Sequence, residues 1–443
     1  MTFQLKIGAL PCVVSLVSAT LTSALASPLL AQDTAGPAEA LAELETACQH
    51  VEELWPAALC GPVILVNPAT RDAVTNQPDA NGLFEGDNGV YLGQWPDNMP
   101  VANTALAWEG QQWAMVMLPL RGDRFDRLQL LAHESFHRIQ PELGHTVADP
   151  MAAHLDEMDG RIWLRMELRA YAQALDAAED DARAAALDAL AFRAMRHSLY
   201  PEAVEVERQL EAHEGLAEYT GVRFAMDATG EGEGRAANLI RRFEQRPTYV
   251  RSLGYGTGPA LGLLLDRYQP GWRDDLDPAA IDLGQLLFTA LSAPAEVSRP
   301  AVLDRARLYG LDAVQDEEQE RAEHLAAQRE RYREALVEGS VLILNLPERL
   351  LLFNPNTVLS LGEHGTVYPG AILMGPWGRL TLHDGAALAP ADRTMARVAA
   401  PDTLEASSTV EGPGWTLALE EGWHFEAGTR RGETVLVPAP QPD

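Results

Sequence analysis

The sequence is almost without lysine and is short of positive charge. Lys6 is its only lysine, and its 34 lysine and arginine residues stand against 64 aspartate and glutamate residues. The formal net charge at pH 7 is −30. Because nucleic acids and anionic membranes are bound through a basic surface, this balance argues against both as partners.

Long hydrophobic runs are also absent, except near the amino terminus. Residues 7–26 read IGALPCVVSLVSATLTSALA, after one basic residue and before further small residues. This layout is typical of a secretory signal peptide, predicted as residues 1–31, with cleavage after Ala26 or Ala31. A membrane anchor is the alternative because the run approaches spanning length, but Pro11 and the interspersed hydroxyl residues favour cleavage. We therefore expect an exported protein, either periplasmic or secreted.

Cysteine is scarce as well, with only Cys12, Cys48 and Cys60. Cys12 leaves with the predicted signal peptide, and a short loop separates the other two. In an oxidising compartment such a pair favours one disulfide, which would tie the first helix to the strand near Val63. Two free buried thiols are the alternative.

The rest of the composition is that of a globular protein whose pattern changes along the chain. A length of 443 residues, 47% of them hydrophobic, allows two or more hydrophobic cores. A first amphipathic helix is followed by strands over residues 61–120, by mainly helical sequence, and then by short strands broken by Gly, Pro and Asn. We predict an α+β chain in which residues 32–339 are mainly helical with a small N-terminal antiparallel sheet. Residues 340–443 are predicted to form an all-β sandwich or barrel.

The segment LLAHESFHRIQ, residues 130–140, carries the main chemical signal. His133 and His137 lie four residues apart, so on a helix they share a face and can bind one Zn²⁺ ion. Glu134 is offset by about 100°, which lets it act as general base on a water without being a ligand. A bare HExxH pattern also recurs by chance, so a third ligand has to be found elsewhere.

The metzincin pattern HExxHxxGxxH does not supply that ligand. Leu143 occupies the position of the third histidine, and Gln140 occupies the position of the glycine. Pro141 ends the helix between them, and His145 comes two residues too late. The sequence therefore argues against a metzincin site.

The downstream segment EAHEGLAEYTG, residues 211–221, resembles the second helix of the gluzincins, the thermolysin and aminopeptidase-N group of zinc metallopeptidases. The resemblance implies that Glu214 is the third zinc ligand and that Glu218 is the carboxylate that orients a ligand histidine. Gly215 and Ala217 permit close packing of this helix. The alternative is a surface helix with scattered acids, which are common in so acidic a chain.

A third segment, SLGYGTGPALGLLLDRYQPGW at residues 252–272, resembles the stretch that follows the glutamate helix in aminopeptidase-N-like enzymes. Tyr255 matches the tyrosine whose hydroxyl binds the oxyanion in those enzymes, and Gly258 matches the glycine that follows it. The alternative is a buried core tyrosine at the start of a helix.

The resemblance covers residues 124–273 and implies a zincin-like metallopeptidase domain that hydrolyses peptide bonds with Zn²⁺ as cofactor. A peptide or protein is then the expected substrate. The implied catalytic residues are Glu134 and Tyr255, and the implied metal ligands are His133, His137 and Glu214.

Two features depart from aminopeptidase N. The 76 residues between His137 and Glu214 make a much longer connection. There is no GxMEN segment, and the strand WAMVMLPL in its place has no carboxylate, so the resemblance does not imply exopeptidase specificity. The edge of the sheet at residues 113–118 is a candidate for binding an extended peptide.

The other histidines are weaker candidates. His213 lies beside Glu214 but on a different face, which favours a packing or supporting role, while His145 and His154 follow the HExxH helix and are placed to line a cleft. Two further functions stay open. One is a non-catalytic zincin scaffold used for binding, against which the intact Glu134 counts, and the other is a zinc amidase that acts on a cell-wall or other non-peptide amide.

Overall fold

The computed structural model describes residues 36–145, 148–347, 351–354, 357–401 and 403–440. The predicted signal peptide, residues 1–31, lies outside these ranges. Among the helices in the described ranges, none is long and apolar enough to cross a bilayer.

Most helices lie between the first sheet and residue 340. Within the described residues they are α1 (Pro37–His50), α2 (Arg124–Ile139), α3 (Met158–Asp176), α4 (Glu179–Leu199), α5 (Ala203–Leu210), α6 (Leu216–Thr229), α7 (Glu233–Glu244), α8 (Leu253–Tyr268), α9 (Leu283–Ala290), α10 (Arg299–Leu308) and α11 (Leu311–Arg333). A π-helical turn, Glu211–Gly215, joins α5 to α6, and a second, Glu334–Glu338, continues α11. Short 3₁₀ turns occur at Ala153–Asp156 and Gly362–His364.

The strands fall into two groups on either side of the helices. The first group is β1 (Val63–Val66), β2 (Asp72–Thr75), β3 (Glu85–Asp87), β4 (Val90–Gln94), β5 (Thr104–Trp108) and β6 (Gln111–Met117). The second is β7 (Val341–Asn345), β8 (Leu351–Leu352), β9 (Leu359–Ser360), β10 (Thr366–Pro369), β11 (Ile372–Gly375), β12 (Gly378–Leu382), β13 (Ala386–Ala389), β14 (Met395–Ala399), β15 (Thr409–Gly412), β16 (Trp415–Leu419), β17 (Trp423–Ala427) and β18 (Glu433–Pro438).

The first group forms one six-stranded sheet in the order β3-β4-β2-β1-β6-β5. The prediction of an antiparallel sheet is wrong for one interior pair, because β1 runs parallel to β6 although it is antiparallel to β2. β1 is the apolar run VILV and is buried at every position, as expected of a strand covered on both faces. Such a run predicts burial but not the pairing partner, since that depends on the path of the whole chain.

Alternate residues of this sheet join two different hydrophobic clusters. Val63 and Leu65 of β1 belong to the main core shared with the helices. Ile64 belongs to a smaller cluster that includes Trp95 and Trp113. The helical side of the sheet therefore supports α2, which packs against β5 and β6.

Helix α2 carries the HExxH segment and is buried around most of its circumference. It begins after Asp123, whose side chain accepts a hydrogen bond from the backbone N–H of Asp126. The helical period places the apolar residues Leu128, Ala132 and Ile139 on a stripe roughly opposite the histidines. In the structure, His133 and Glu134 are buried as well. The reason is that α2 lies between the sheet and α6, so it has neighbours on more than one side.

Cys48 and Cys60 form the predicted disulfide and close a loop that packs on α2 and α6. Within this loop the indole of Trp55 lies 5.1 Å from the ring of Phe136 on α2, measured between centroids. Its Nε1 donates a hydrogen bond of 3.0 Å to Thr220 Oγ1 on α6. The crosslinked loop therefore contacts both helices that surround the candidate site.

The second group of strands forms two sheets from Val341 onward. Among the described residues their orders are β17-β18-β7-β14-β13-β10-β9 and β15-β16-β12-β11-β8. Leu344 from one sheet and Leu380 from the other belong to the same hydrophobic core, which is separate from that of the helices. The end of the helical region packs on this part through Leu336, which clusters with Val367. The chain thus combines helices and sheets, with an N-terminal sheet and a C-terminal strand-rich region. This confirms the prediction of a mixed helical and sheet-containing chain at that level of detail.

Candidate metal centre

The imidazoles of His133 and His137 meet on one face of α2. Their Nε2 atoms lie 3.1 Å apart, and their ring centroids are 4.8 Å apart. This is the arrangement that a spacing of four residues produces on a helix. His133 is buried and His137 is partly buried, so the pair lies below the surface.

Glu214 reaches the two histidines from the π-helical turn Glu211–Gly215. Its Oε2 lies 3.5 Å from Nε2 of His133 and 3.5 Å from Nε2 of His137. Ligand atoms about 2.0–2.1 Å from a tetrahedral zinc ion are about 3.4 Å from one another. The three observed separations therefore fit ligands of a common ion, and these residues form a compact group of potential metal-binding atoms.

The turn that carries Glu214 is held from two sides. The sequence predicts one continuous helix here, whereas the structure has a π-helical turn, a feature frequent at functional sites. Gly215 packs so closely against Gly258 of α8 that a Cβ on Gly258 would lie 2.3 Å from the Cα of Gly215. Behind the turn, the buried guanidinium of Arg193 donates two hydrogen bonds to Glu211. These contacts fix the backbone beside Glu214.

Each of the two histidines is oriented through its second ring nitrogen. His133 Nδ1 lies 2.8 Å from Glu218 Oε2, and His137 Nδ1 lies 2.7 Å from Gln140 Oε1. Because both partners are oxygen acceptors, the Nδ1–H donates in each pair. The lone pair of each Nε2 is then left for a metal ion, and Glu218 has the contact that the resemblance implies.

Gln140 is a site residue that the sequence analysis missed, since it considered this residue only as a replacement for the metzincin glycine. Its Nε2 donates a hydrogen bond of 3.0 Å to the backbone oxygen of His213, so it also connects α2 to the turn that carries Glu214. The sequence contained one signal for Gln140, namely its position three residues after His137. Residues three apart on a helix are neighbours, so their side chains can contact each other.

The electrostatics of the site favour a bound cation. Burial opposes a charge on His133, but its contacts with the carboxylates of Glu214 and Glu218 outweigh burial and raise the pKa of the imidazole to about 10. Burial alone would raise the pKa of Glu214, yet its contacts with His133 and His137 lower it well below the ordinary value. Among the described residues, Glu214 Oε2 has no hydrogen-bond partner. A metal ion would replace the proton on His133 and satisfy this oxygen.

Glu134 is buried beside His133, His137 and Glu214 but does not belong to that group of potential ligands. Within the described part of the chain its Oε2 has no hydrogen-bond partner. Burial raises the pKa of the Glu134 carboxyl, against the opposing charges of His133 and His137. A carboxyl group with a raised pKa next to potential metal ligands is suited to take up and release a proton.

Tyr255 lies in the first turn of α8, with its ring stacked on the imidazole of His133. The ring centroids are 5.3 Å apart, and the planes differ by 14°. Burial raises the pKa of Tyr255 well above its ordinary value, and the charge of Glu214 with a hydrogen bond to it adds to the effect. The hydroxyl is therefore a protonated donor at neutral pH.

No family model, curated protein or solved structure matches the chain. The likeness to gluzincins is thus carried by short motifs alone, and the geometry has to be weighed by itself. That geometry brings together five side chains from three separate elements, namely His133, Glu134, His137, Glu214 and Tyr255.

The remaining histidines take different positions. His213 lies against the cluster, with its ring 5.0 Å from that of His137 and its Nδ1 3.5 Å from Glu214 Oε1. His145 packs among aromatic rings of α2 and the disulfide loop. His154 Nε2 lies 2.7 Å from Glu207 Oε1 on α5, in a buried contact away from the cluster. Of these three, His213 is therefore the one that supports the site.

The prediction of a peptide-binding sheet edge at residues 113–118 is wrong. This segment belongs largely to β6, which lies inside the sheet between β1 and β5. Its backbone pairs with β1 on one side and with β5 on the other. The strand at the end of the sheet on this side is β5.

Proposed function

We propose that the protein is an exported zinc metallopeptidase of gluzincin type, with a zincin-like catalytic domain. The observation that carries the proposal is the convergence of two Nε2 atoms and one carboxylate oxygen at mutual separations of 3.1 to 3.5 Å. The ligand types, two neutral imidazoles and one carboxylate, are those of catalytic zinc sites that keep a fourth position open. The disulfide supports export, since such bonds persist in oxidising compartments.

Zn²⁺ held by His133, His137 and Glu214 would act as a Lewis acid on a water molecule and on the scissile carbonyl. The chain's own groups carry the proton transfers. The carboxylate of Glu134 takes a proton from the attacking water and delivers it to the nitrogen of the leaving amine. The Tyr255 hydroxyl donates a hydrogen bond to the developing oxyanion, a contribution of about 3 kcal/mol in comparable sites.

The experiment compares the purified mature chain with its Glu134→Gln and Glu214→Gln variants. We expect about one zinc per chain by elemental analysis and cleavage of casein that a chelator abolishes. Glu134→Gln should keep the zinc but lose activity by about 10²- to 10⁴-fold, whereas Glu214→Gln should lose zinc occupancy itself. Stoichiometric zinc in the Glu214 variant would refute the ligand assignment, and absence of zinc from the unaltered chain would refute the proposed function.

A further inference from the structure

An arginine lies next to the candidate oxyanion donor and has no role in the mechanism above. Arg246 follows α7 and is exposed. Its guanidinium carbon lies 5.7 Å from the centroid of the Tyr255 ring and 5.0 Å from that of Phe243. The Tyr255 ring is in turn stacked on the ligand His133. The guanidinium of Arg246 thus contacts the Tyr255 ring, and that ring contacts the His133 imidazole.

The backbone around Arg246 is held in place. The Pro247 carbonyl accepts a hydrogen bond of 3.3 Å from Arg161, and the Tyr249 hydroxyl donates to the carbonyl of Glu244 at the end of α7. A Cβ on Gly256 would lie 2.3 Å from the Phe243 ring, so the end of α7 packs tightly on the first turn of α8. The base of the arginine side chain is thus positioned relative to Tyr255.

The charge of Arg246 is available for a ligand. In the described ranges, no carboxylate forms an ion pair with it, whereas Arg241 pairs with Asp176 and Arg251 with Asp149. Arg242 is also exposed, and among the described residues it has neither a carboxylate partner nor a ring contact with the site. What distinguishes Arg246 is therefore its place beside Tyr255.

The negative surroundings give a positive charge at this place a use, because it would offset the repulsion of an anionic substrate group. The site itself contains three carboxylates, those of Glu134, Glu214 and Glu218, and the whole chain has a net charge of −30. A substrate carboxylate entering this region is repelled unless a local positive charge compensates. A planar guanidinium can bind a carboxylate through two parallel hydrogen bonds.

We propose that Arg246 binds a substrate carboxylate close to the cleaved bond, so that the enzyme prefers acidic peptides. The inference rests on the proposed peptidase function and specifies its substrate class. The carboxylate is either an Asp or Glu side chain or the carboxyl terminus of the peptide. Both have the same chemistry at Arg246, and the test separates them.

The test uses quenched fluorescent octapeptide libraries that are random except for one position, which is fixed as Glu or as Gln. A second pair of libraries has a free or an amidated carboxyl terminus. We expect the zinc-loaded wild type to prefer one charged library by about tenfold in kcat/KM, mainly through KM, because the ion pair forms in the substrate complex. The library pair that shows the preference identifies the source of the carboxylate.

Three variants test whether the preference for a charged library depends on Arg246. Arg246→Ala should abolish it, Arg246→Lys should keep part of it, and Arg242→Ala is the matched control that removes the same charge four residues away and should leave it intact. The proposal is overturned if Arg246→Ala retains the preference, or if Arg242→Ala loses as much of it. In both cases the wild type would still cleave casein, so this failure is distinct from failure of the peptidase proposal.

A binding measurement makes the test independent of turnover. Fluorescence anisotropy of dye-labelled Glu and Gln libraries is followed with the Glu134→Gln chain, with and without Arg246→Ala. We expect the Kd for the charged library to rise about tenfold when the arginine is removed, and the difference to shrink at high salt. An unchanged Kd would refute carboxylate binding by Arg246 even if the unaltered chain cleaved nothing.

Discussion

The orientation of the two imidazoles depends on single side chains that lie outside the candidate metal position. Glu218 accepts the hydrogen bond from His133 Nδ1, and its other oxygen accepts one of 2.6 Å from Gln129. Glu218→Ala removes the acceptor that keeps the His133 Nε2 lone pair directed at the site. We expect zinc affinity to fall by about 10- to 100-fold, as measured by competition with a chromophoric chelator.

The matched control for this prediction is Asp227→Ala. Asp227 is a carboxylate on the same helix α6, but it pairs with Arg223 on the partly exposed side. Its removal changes the charge of the chain equally and should leave zinc affinity within about twofold of the wild type. Equal affinity losses in the two variants would mean that Glu218 acts only through net charge.

The raised pKa of His133 predicts that metal binding releases a proton. Its pKa is raised above the ordinary 6.5 to about 10, so the metal-free imidazole is protonated at pH 7. Zinc requires the neutral ring, and binding therefore displaces that proton. Apparent zinc affinity should rise with pH from 7 towards 10, and calorimetry in buffers of different ionisation enthalpy should measure about one proton released at pH 7. Affinity that stays flat over this range would contradict the protonated state of His133.

At the scale of elements, the site is formed where α2, the π-helical turn and α8 pack against one another. Gly258 on α8 lies against Gly215, the residue after Glu214, and an added Cβ would come within 2.2 Å of the Gly215 carbonyl oxygen. Gly258→Ala should therefore push α8 away from the turn. We expect a loss of about 1–3 kcal/mol in the free energy of unfolding, together with weaker zinc binding.

Gly234→Ala on α7 serves as the comparison, because it makes the same change where there is room. Its added Cβ would meet only Asp176 Oδ1, at an ordinary 3.6 Å. Alanine favours a helix over glycine by up to about 1 kcal/mol, so this variant should be as stable as the wild type or more so. Urea unfolding and chelator competition on both variants measure the difference. If Gly258→Ala kept wild-type stability and zinc affinity, the close packing of α8 on the turn would be irrelevant to the site.

At the scale of the whole molecule, the helical part and the C-terminal strands have separate cores. Cys48 and Cys60 belong to the helical part and enclose the loop that contacts α2 and α6. Replacing both by alanine should destabilise that part by about 3 kcal/mol, because the crosslink restricts the unfolded chain. Hydrogen exchange read by mass spectrometry should show faster exchange in peptides of residues 36–338 and unchanged exchange in residues 341–440. Equal acceleration in both would mean that the two cores unfold as one unit.

Several features of the molecule were accessible from sequence because they are local. The pairing of His133 with His137 follows from helical spacing, and the disulfide follows from two cysteines on a short loop. The positions of Glu214 and Tyr255 needed the resemblance, since nothing in their own segments says what they face. Gln140 was missed because its function requires knowing that the backbone of His213 lies within reach.

What the sequence by itself determined is therefore the kind of each element and the residues that share a face, because those depend on neighbours within a few positions. Only the tertiary structure decided that β1 pairs parallel with β6, that Glu214 lies 3.5 Å from two imidazoles on a different helix, and that Arg246 lies beside Tyr255. These are contacts between segments far apart in the chain. They are set by how all the apolar faces pack at once, which no single segment encodes.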